Sequence, residues 1–188
     1  MINFDLSIEC KQILRTPYEG ALDLYHQNKK INVGVPYGSK KISVPSALVD
    51  KEDLESILGE EKYAGTIGGM FFITKELPKK YRQFAAIHEL AEYSAPRGFD
   101  VTGLAKHFQA IAVEIGFAKK VLSSEEYSKY FNWRKSVERT NFFQLLDNSL
   151  IDNIRDRIDE IFKSMLNHLT YKKKKLVKII QSDSRILT

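Results

Sequence analysis

Apolar and polar positions along this chain follow two periods, one typical of helices and one typical of strands. Apolar residues recur at three- and four-residue steps in four long segments, which predicts helices within residues 5–30, 81–95, 102–122 and 141–178. Thr16-Pro17 interrupts the first segment, which therefore forms two short helices or one broken helix. Short apolar or alternating stretches predict strands over residues 31–35, 41–44 and 65–74. A Pro-Tyr-Gly-Ser turn joins the first two strands, which predicts a β-hairpin.

Helix start and stop signals divide the remaining chain. Asp50 and Gly59 bracket a short helix as its cap and its stop, and Ser123 begins another helix through Ser-Ser-Glu-Glu. Together, these elements predict an α+β fold with a small antiparallel sheet packed on a mainly helical domain and a long C-terminal helix. We expect an α+β domain over residues 1–135. Residues 136–188 would form a helical extension that packs on that domain or mediates association.

The predicted central helix carries the sequence His-Glu-Leu-Ala-Glu at residues 88–92. Residues i and i+4 of a helix lie one above the other, so His88 and Glu92 share a face, while Glu89 lies about 100° further round. This is the geometry of the His-Glu-x-x-His zinc helix, with a carboxylate in place of the second histidine. The pattern therefore favours metal binding over this stretch.

The next predicted helix offers two more candidate ligands. His107 and Glu114 are seven residues apart, about two turns, and so lie on one side of the helix, near its apolar stripe. A carboxylate is costly to bury unless it is paired, hydrogen-bonded or bound to a metal. Two helices that follow each other in the chain thus direct histidines and carboxylates towards the interior, where a cation would compensate them.

These residues predict a site for zinc, or for another divalent metal such as iron or manganese. The ligands would be His88, Glu92 and His107, with Glu114 as a fourth ligand or as a carboxylate that orients a histidine. Glu89 would act as general base on a bound water. The alternative is a structural arrangement without metal, in which the histidines are hydrogen-bonded core residues and His107 and Glu114 form a buried pair.

The order of strand, connection and helix, ending in Arg82-Gln-Phe-Ala-Ala-Ile-His-Glu-Leu-Ala-Glu92, resembles the core of small zincin-like metallopeptidases, in particular the ImmA/IrrE-type domains. The resemblance covers residues 65–120 and implies a metallopeptidase-like hydrolase. It implies that His88 is the first ligand, that Glu89 is the base, and that Glu114 or His107 is the downstream ligand. Glu92 departs from the family pattern, in which a second histidine stands. A peptide or protein would be the substrate.

Composition narrows the remaining alternatives. The hydrophobic fraction of 43% and the charged fraction of 28% are ordinary for a globular protein, and no apolar run reaches the roughly 18 residues of a membrane span. The single cysteine, Cys10, and the absence of a signal-peptide pattern predict a cytoplasmic protein. The net charge of +5, with a lysine run at residues 172–175, is too small to predict nucleic-acid binding. A non-catalytic metal-binding or interaction domain, a homodimer formed through the C-terminal helix, and a basic nucleic-acid-associated protein stay as alternatives.

Overall fold

The computed structural model describes residues 17–37, 40–59, 63–94, 103–138 and 140–167. The predicted α+β fold is confirmed: a four-stranded sheet is combined with a larger number of helices. The elements are, in chain order, α1 (Pro17–Gln27), β1 (Lys29–Tyr37), β2 (Lys40–Val49), α2 (Lys51–Leu58), β3 (Ala64–Ile67), β4 (Met70–Thr74), a 3₁₀ turn (Lys79–Tyr81), α3 (Arg82–Ser94), α4 (Gly103–Val121), α5 (Ser124–Val137), a second 3₁₀ turn (Asn141–Gln144) and α6 (Asn148–Asp156).

The chain forms two compact units. The first comprises Met1–Gly34 and Ser43–Ala86, and the second comprises Val35–Ile42 and Ile87–Thr188. Within the second unit, α6 packs on α4. The boundary at residue 135 stays a prediction.

The sheet has the strand order β1-β2-β4-β3 and is mixed rather than purely antiparallel. β3 and β4 pair antiparallel, whereas β2 and β4 pair in parallel, with Ser46 opposite Phe71. Parallel neighbours need a crossover connection, and α2 with β3 supplies it here. The small core of the first unit contains Ala21, Ala47, Val49, Leu54 and Phe72.

The single strand predicted over residues 65–74 is instead a tight hairpin. Gly68 and Gly69 occupy its turn with φ angles of 59° and 85°, a left-handed conformation that favours glycine. This turn was not predicted, although two adjacent glycines between apolar residues are a recognised hairpin signal.

In the second unit, the middle of α4 is buried on every side. Buried residues run almost without interruption from Ala110 to Ala118, because α5 and α6 both pack against this helix. Gly116 permits the closest approach: a Cβ atom there would lie 2.5 Å from Cγ2 of Ile154 on α6. Leu104, in the first turn of this helix, is 64% exposed.

The long C-terminal helix is confirmed, with a later start than residue 141. Asp147 caps α6, because its carboxylate accepts a hydrogen bond of 2.7 Å from the backbone N–H of Leu150. After an irregular residue at Arg157, the helix continues over residues 158–167, and Ile158 and Phe162 are buried along it. The end of the predicted C-terminal helix, with the lysine run at 172–175, lies outside the described residues. In the described part of the chain, no helix combines the length and the apolarity that a membrane crossing requires.

Candidate metal site

The last turns of α3 and the first turns of α4 bring three candidate ligands together. His88 Nε2 lies 3.5 Å from Glu92 Oε2, one helical turn further along α3. His107 Nδ1, from α4, lies 3.2 Å from His88 Nε2 and 3.5 Å from Glu92 Oε2. The three side chains form the one group of histidines, cysteines and acidic residues among the described residues that could hold a metal ion.

Each histidine turns its other ring nitrogen towards a carboxylate. His88 Nδ1 donates a hydrogen bond of 2.8 Å to Glu114 Oε2, and His107 Nε2 lies 3.4 Å from Glu138 Oε2. Metal-bound histidines in proteins usually donate their second N–H to a carboxylate or a carbonyl in this way, which fixes the tautomer. Both histidines of this group therefore have the surroundings of ligands.

A single guanidinium connects the two supporting carboxylates. Arg134 of α5 donates from Nε to both oxygens of Glu114, at 3.0 and 3.3 Å, and from Nη1 to Glu138 Oε2, at 2.8 Å. Tyr130 donates its hydroxyl hydrogen to Glu114 Oε1. Thr140 donates from its backbone N–H and its hydroxyl to Glu138 Oε1, at 3.2 and 2.9 Å. The carboxylates thus have partners on both oxygens.

The spacing of the three candidate ligand atoms fits a small divalent cation. Four ligands at about 2.0–2.1 Å in tetrahedral geometry are separated from one another by about 3.3–3.4 Å. The observed separations are 3.2, 3.5 and 3.5 Å. The circle through the three atoms has a radius of about 2.0 Å, close to a zinc–nitrogen or zinc–carboxylate bond.

The charges around the site also favour a cation. Glu92, Glu114 and Glu138 all have pKa values lowered by positively charged or N–H-bearing neighbours, and Arg134 is their single permanent cation in this network. With neutral imidazoles the network carries two uncompensated negative charges, and with one imidazolium, at His88, it still carries one. Two imidazolium ions could balance them, but their N–H groups would then face each other across 3.2 Å. A divalent cation removes that conflict.

The pKa values of the individual groups follow from these contacts. Burial alone would lower the pKa of His88, but the hydrogen bonds of its ring to Glu114 and Glu92 outweigh burial and raise this pKa to about 9. Burial likewise opposes ionisation of Glu114, yet the charge of Arg134 and the contact with His88 lower its pKa. Hydrogen bonds with His107 and His88 lower the pKa of Glu92. The carboxylates are therefore ionised at neutral pH and available to a metal.

The site opens to solvent on one side. The side chain of Glu92 is 36% exposed and that of His107 is 21% exposed, whereas His88 is 8% exposed and Glu114 only 2%. Glu92 and His107, the more exposed side chains, belong to the group of three candidate ligands. Glu114, the most buried carboxylate, lies behind His88 on its other ring nitrogen. A cation held by the three ligands would therefore have solvent access for a further ligand such as water.

The structure places the five residues predicted from the sequence as follows. His88, Glu92 and His107 converge, and Glu114 lies behind His88 on its opposite ring nitrogen, in the place of an orienting carboxylate. Glu89 is buried, and its charge contributes to the raised pKa of His88. His26, which does not belong to this group, is exposed.

Sequence reasoning missed four residues of this network, namely Tyr130, Arg134, Glu138 and Thr140. Tyr130 is buried, with 1% of its surface exposed. The one available signal was the i, i+4 spacing of Arg134 and Glu138 on a predicted helix. That spacing occurs in many exposed ion pairs, and so it does not single out a buried site.

Comparison with known proteins does not assign a family. No family model, no curated protein sequence and no solved structure matches this chain.

Proposed function

We propose that this protein is a metal-dependent hydrolase of the zincin-like peptidase type. It would hold a divalent cation, and zinc is the metal that we propose, through His88 Nε2, Glu92 Oε2 and His107 Nδ1. The observation that carries the proposal is the convergence of these three atoms at 3.2–3.5 Å, with a carboxylate behind each histidine. Two histidines and one carboxylate are a donor set that catalytic zinc sites use, with the remaining position left to water.

The proposal assigns distinct roles to the chain's own groups. Glu114 and Glu138 hold the histidines in place, and the solvent-accessible side near Glu92 and His107 admits the substrate. Glu89 is the general base that accepts a proton from the attacking water; its burial next to His88 suits a carboxylate that must act near the metal. A bound zinc would supply Lewis acidity, lowering the pKa of water and polarising the substrate carbonyl. Iron and manganese accept the same donor set.

Metal binding is tested first, by elemental analysis of the purified protein and by titration of the metal-free protein with Zn²⁺ against a chromophoric chelator. We expect about one equivalent of metal in the wild type and a large loss of affinity in His88→Ala and Glu92→Ala. His26→Ala is the matched control, because His26 is an exposed histidine on α1. Equal binding by all of these proteins, or no binding by the wild type, would refute the metal site.

Hydrolysis is tested separately, with casein and a mixture of quenched fluorescent peptides as substrates. Glu89→Gln keeps the size of the side chain but cannot accept a proton from water. We expect this variant to retain its metal and to lose peptide hydrolysis. Wild-type protein that binds zinc and cleaves none of these peptides would instead support a non-catalytic metal-binding domain.

A further inference from the structure

Beyond the three ligands, the two carboxylates that support the histidines share a partner. Arg134 contacts Glu114 through Nε and Glu138 through Nη1. We propose that Arg134 is the positioning residue of the metal site: it holds both carboxylates so that His88 ligates through Nε2 and His107 through Nδ1. This inference rests on the metal site proposed above.

The guanidinium is suited to this role by its shape. It is planar, and its N–H groups point in fixed directions, so two carboxylates bound to different edges are held at a fixed separation. The contact of 2.8 Å with Glu138 has the length of a charge-assisted hydrogen bond, and the two contacts with Glu114, at 3.0 and 3.3 Å, are longer. A lysine ammonium is a single point charge at the end of a flexible chain, and it could not impose the same separation.

Two hydroxyl groups complete the positioning. Tyr130 binds the oxygen of Glu114 that faces away from His88, and Thr140 binds the oxygen of Glu138 that faces away from His107. Each carboxylate therefore presents one defined oxygen to its histidine. With Arg134 between them, the two halves of the network have the same construction: a histidine, a carboxylate, a hydroxyl and the shared guanidinium.

The consequence is an asymmetric pair of ligands. Glu114 keeps the proton of His88 on Nδ1, which leaves Nε2 for the metal. Glu138 faces Nε2 of His107, which leaves Nδ1 for the metal. Without Arg134 each carboxylate would keep only its contacts with the hydroxyl group and the histidine, so its orientation would be less restricted and either nitrogen of His107 could carry the proton.

Long-range ¹H–¹⁵N NMR of the ¹⁵N-histidine-labelled, zinc-loaded protein tests the assignment, because it distinguishes protonated from metal-bound ring nitrogens. We expect Nε2 coordination for His88 and Nδ1 coordination for His107 in the wild type. In Arg134→Lys we expect a 10–100-fold weaker zinc affinity and loss of the single coordination pattern. Arg157→Lys is the matched control, since the Arg157 side chain is 62% exposed and pairs with Glu160 on the surface.

Glu138→Gln keeps the proposal testable if Arg134→Lys does not fold. It leaves the contact of Arg134 with Glu114 in place, so we expect the signals of His107 to change and the Nε2 coordination of His88 to persist. Zinc binding by the wild type together with unchanged affinity and coordination in Arg134→Lys would overturn this inference alone. The reverse coordination pattern in the wild type would do the same. Failure of the wild type to bind zinc would instead refute the proposed function.

Discussion

Replacing Glu114 by glutamine tests the buried network directly. Glu114 is 1% exposed and accepts hydrogen bonds from His88, Tyr130 and Arg134. Glutamine has nearly the same volume and shape, so no cavity is created. It differs in its charge and in one amide nitrogen, which can donate but cannot accept. The variant therefore separates the electrostatic contribution of the carboxylate from packing.

The size of the effect follows from what the carboxylate neutralises. In the variant, Arg134 loses one of its two counter-charges while its side chain stays 13% exposed, and one donor faces the amide nitrogen. Removing one partner of a buried ion pair typically costs about 3–5 kcal/mol. Since glutamine keeps one acceptor oxygen and Glu138 still pairs with Arg134, we expect a loss of about 3 kcal/mol, at the lower end. For a protein of this size that corresponds to a decrease in Tm of roughly 6–12 °C.

Urea denaturation of the metal-free protein, followed by tryptophan fluorescence, is the appropriate assay. The chain has one tryptophan, Trp133, whose ring centroid lies 5.8 Å from that of Tyr130. Its signal therefore reports unfolding of the unit that contains the network. Removing metal beforehand keeps changes in metal affinity out of the measurement.

Glu125→Gln is the matched control for this substitution. Glu125 pairs with Lys129 on the same helix as Arg134, but its side chain is 79% exposed, so we expect a change below about 1 kcal/mol. If Glu114→Gln shifts the urea midpoint no more than Glu125→Gln does, the buried ion-pair network is wrong as described. A loss well above 5 kcal/mol would indicate that the glutamine disrupts packing as well.

Three further predictions concern pH and packing. His88 has a pKa of about 9 in the folded metal-free protein against an ordinary value of 6.5, so its stabilising contribution is complete below pH 6.5 and is lost as the pH rises through 9. The urea midpoint should therefore fall between pH 7 and 9, and a flat profile that matches His88→Gln would contradict this assignment. Gly116→Val should cost about 1–3 kcal/mol by overpacking, whereas Gly103→Ala on the same helix, with open space around it, should be close to neutral. Gly68→Ala should cost about 1–2 kcal/mol because its φ is 59°, and Gly20→Ala in a helix should not; equal thermal midpoints by circular dichroism would refute the turn.

The helices that carry the ligands were predictable because the signals for them are local. The apolar period, together with the proline and glycine beyond residue 95, placed the central helix within a residue of α3 and the next helix within a residue of α4. Spacing alone put His88 and Glu92 on one face, and it put His107 and Glu114 on one side of the next helix. Whether the two faces meet is not a local property.

The pairing of strands also depended on contacts that are distant in the chain. The parallel alignment of β2 with β4 is not encoded in either strand alone, because the alternating pattern of β2 and the short apolar segment of β4 are both compatible with pairing in either direction. The turn between β3 and β4, in contrast, was predictable from its two adjacent glycines, Gly68 and Gly69.

By itself, the sequence determined which residues could serve as ligands, since residue type and helical period are encoded locally. The tertiary structure alone decided how they are supported. Glu114 lies behind His88 rather than beside the three ligand atoms, and Arg134 reaches it only because α5 packs on α4. Such contacts join residues whose separation in the chain has no fixed period, because packing of whole helices brings them together.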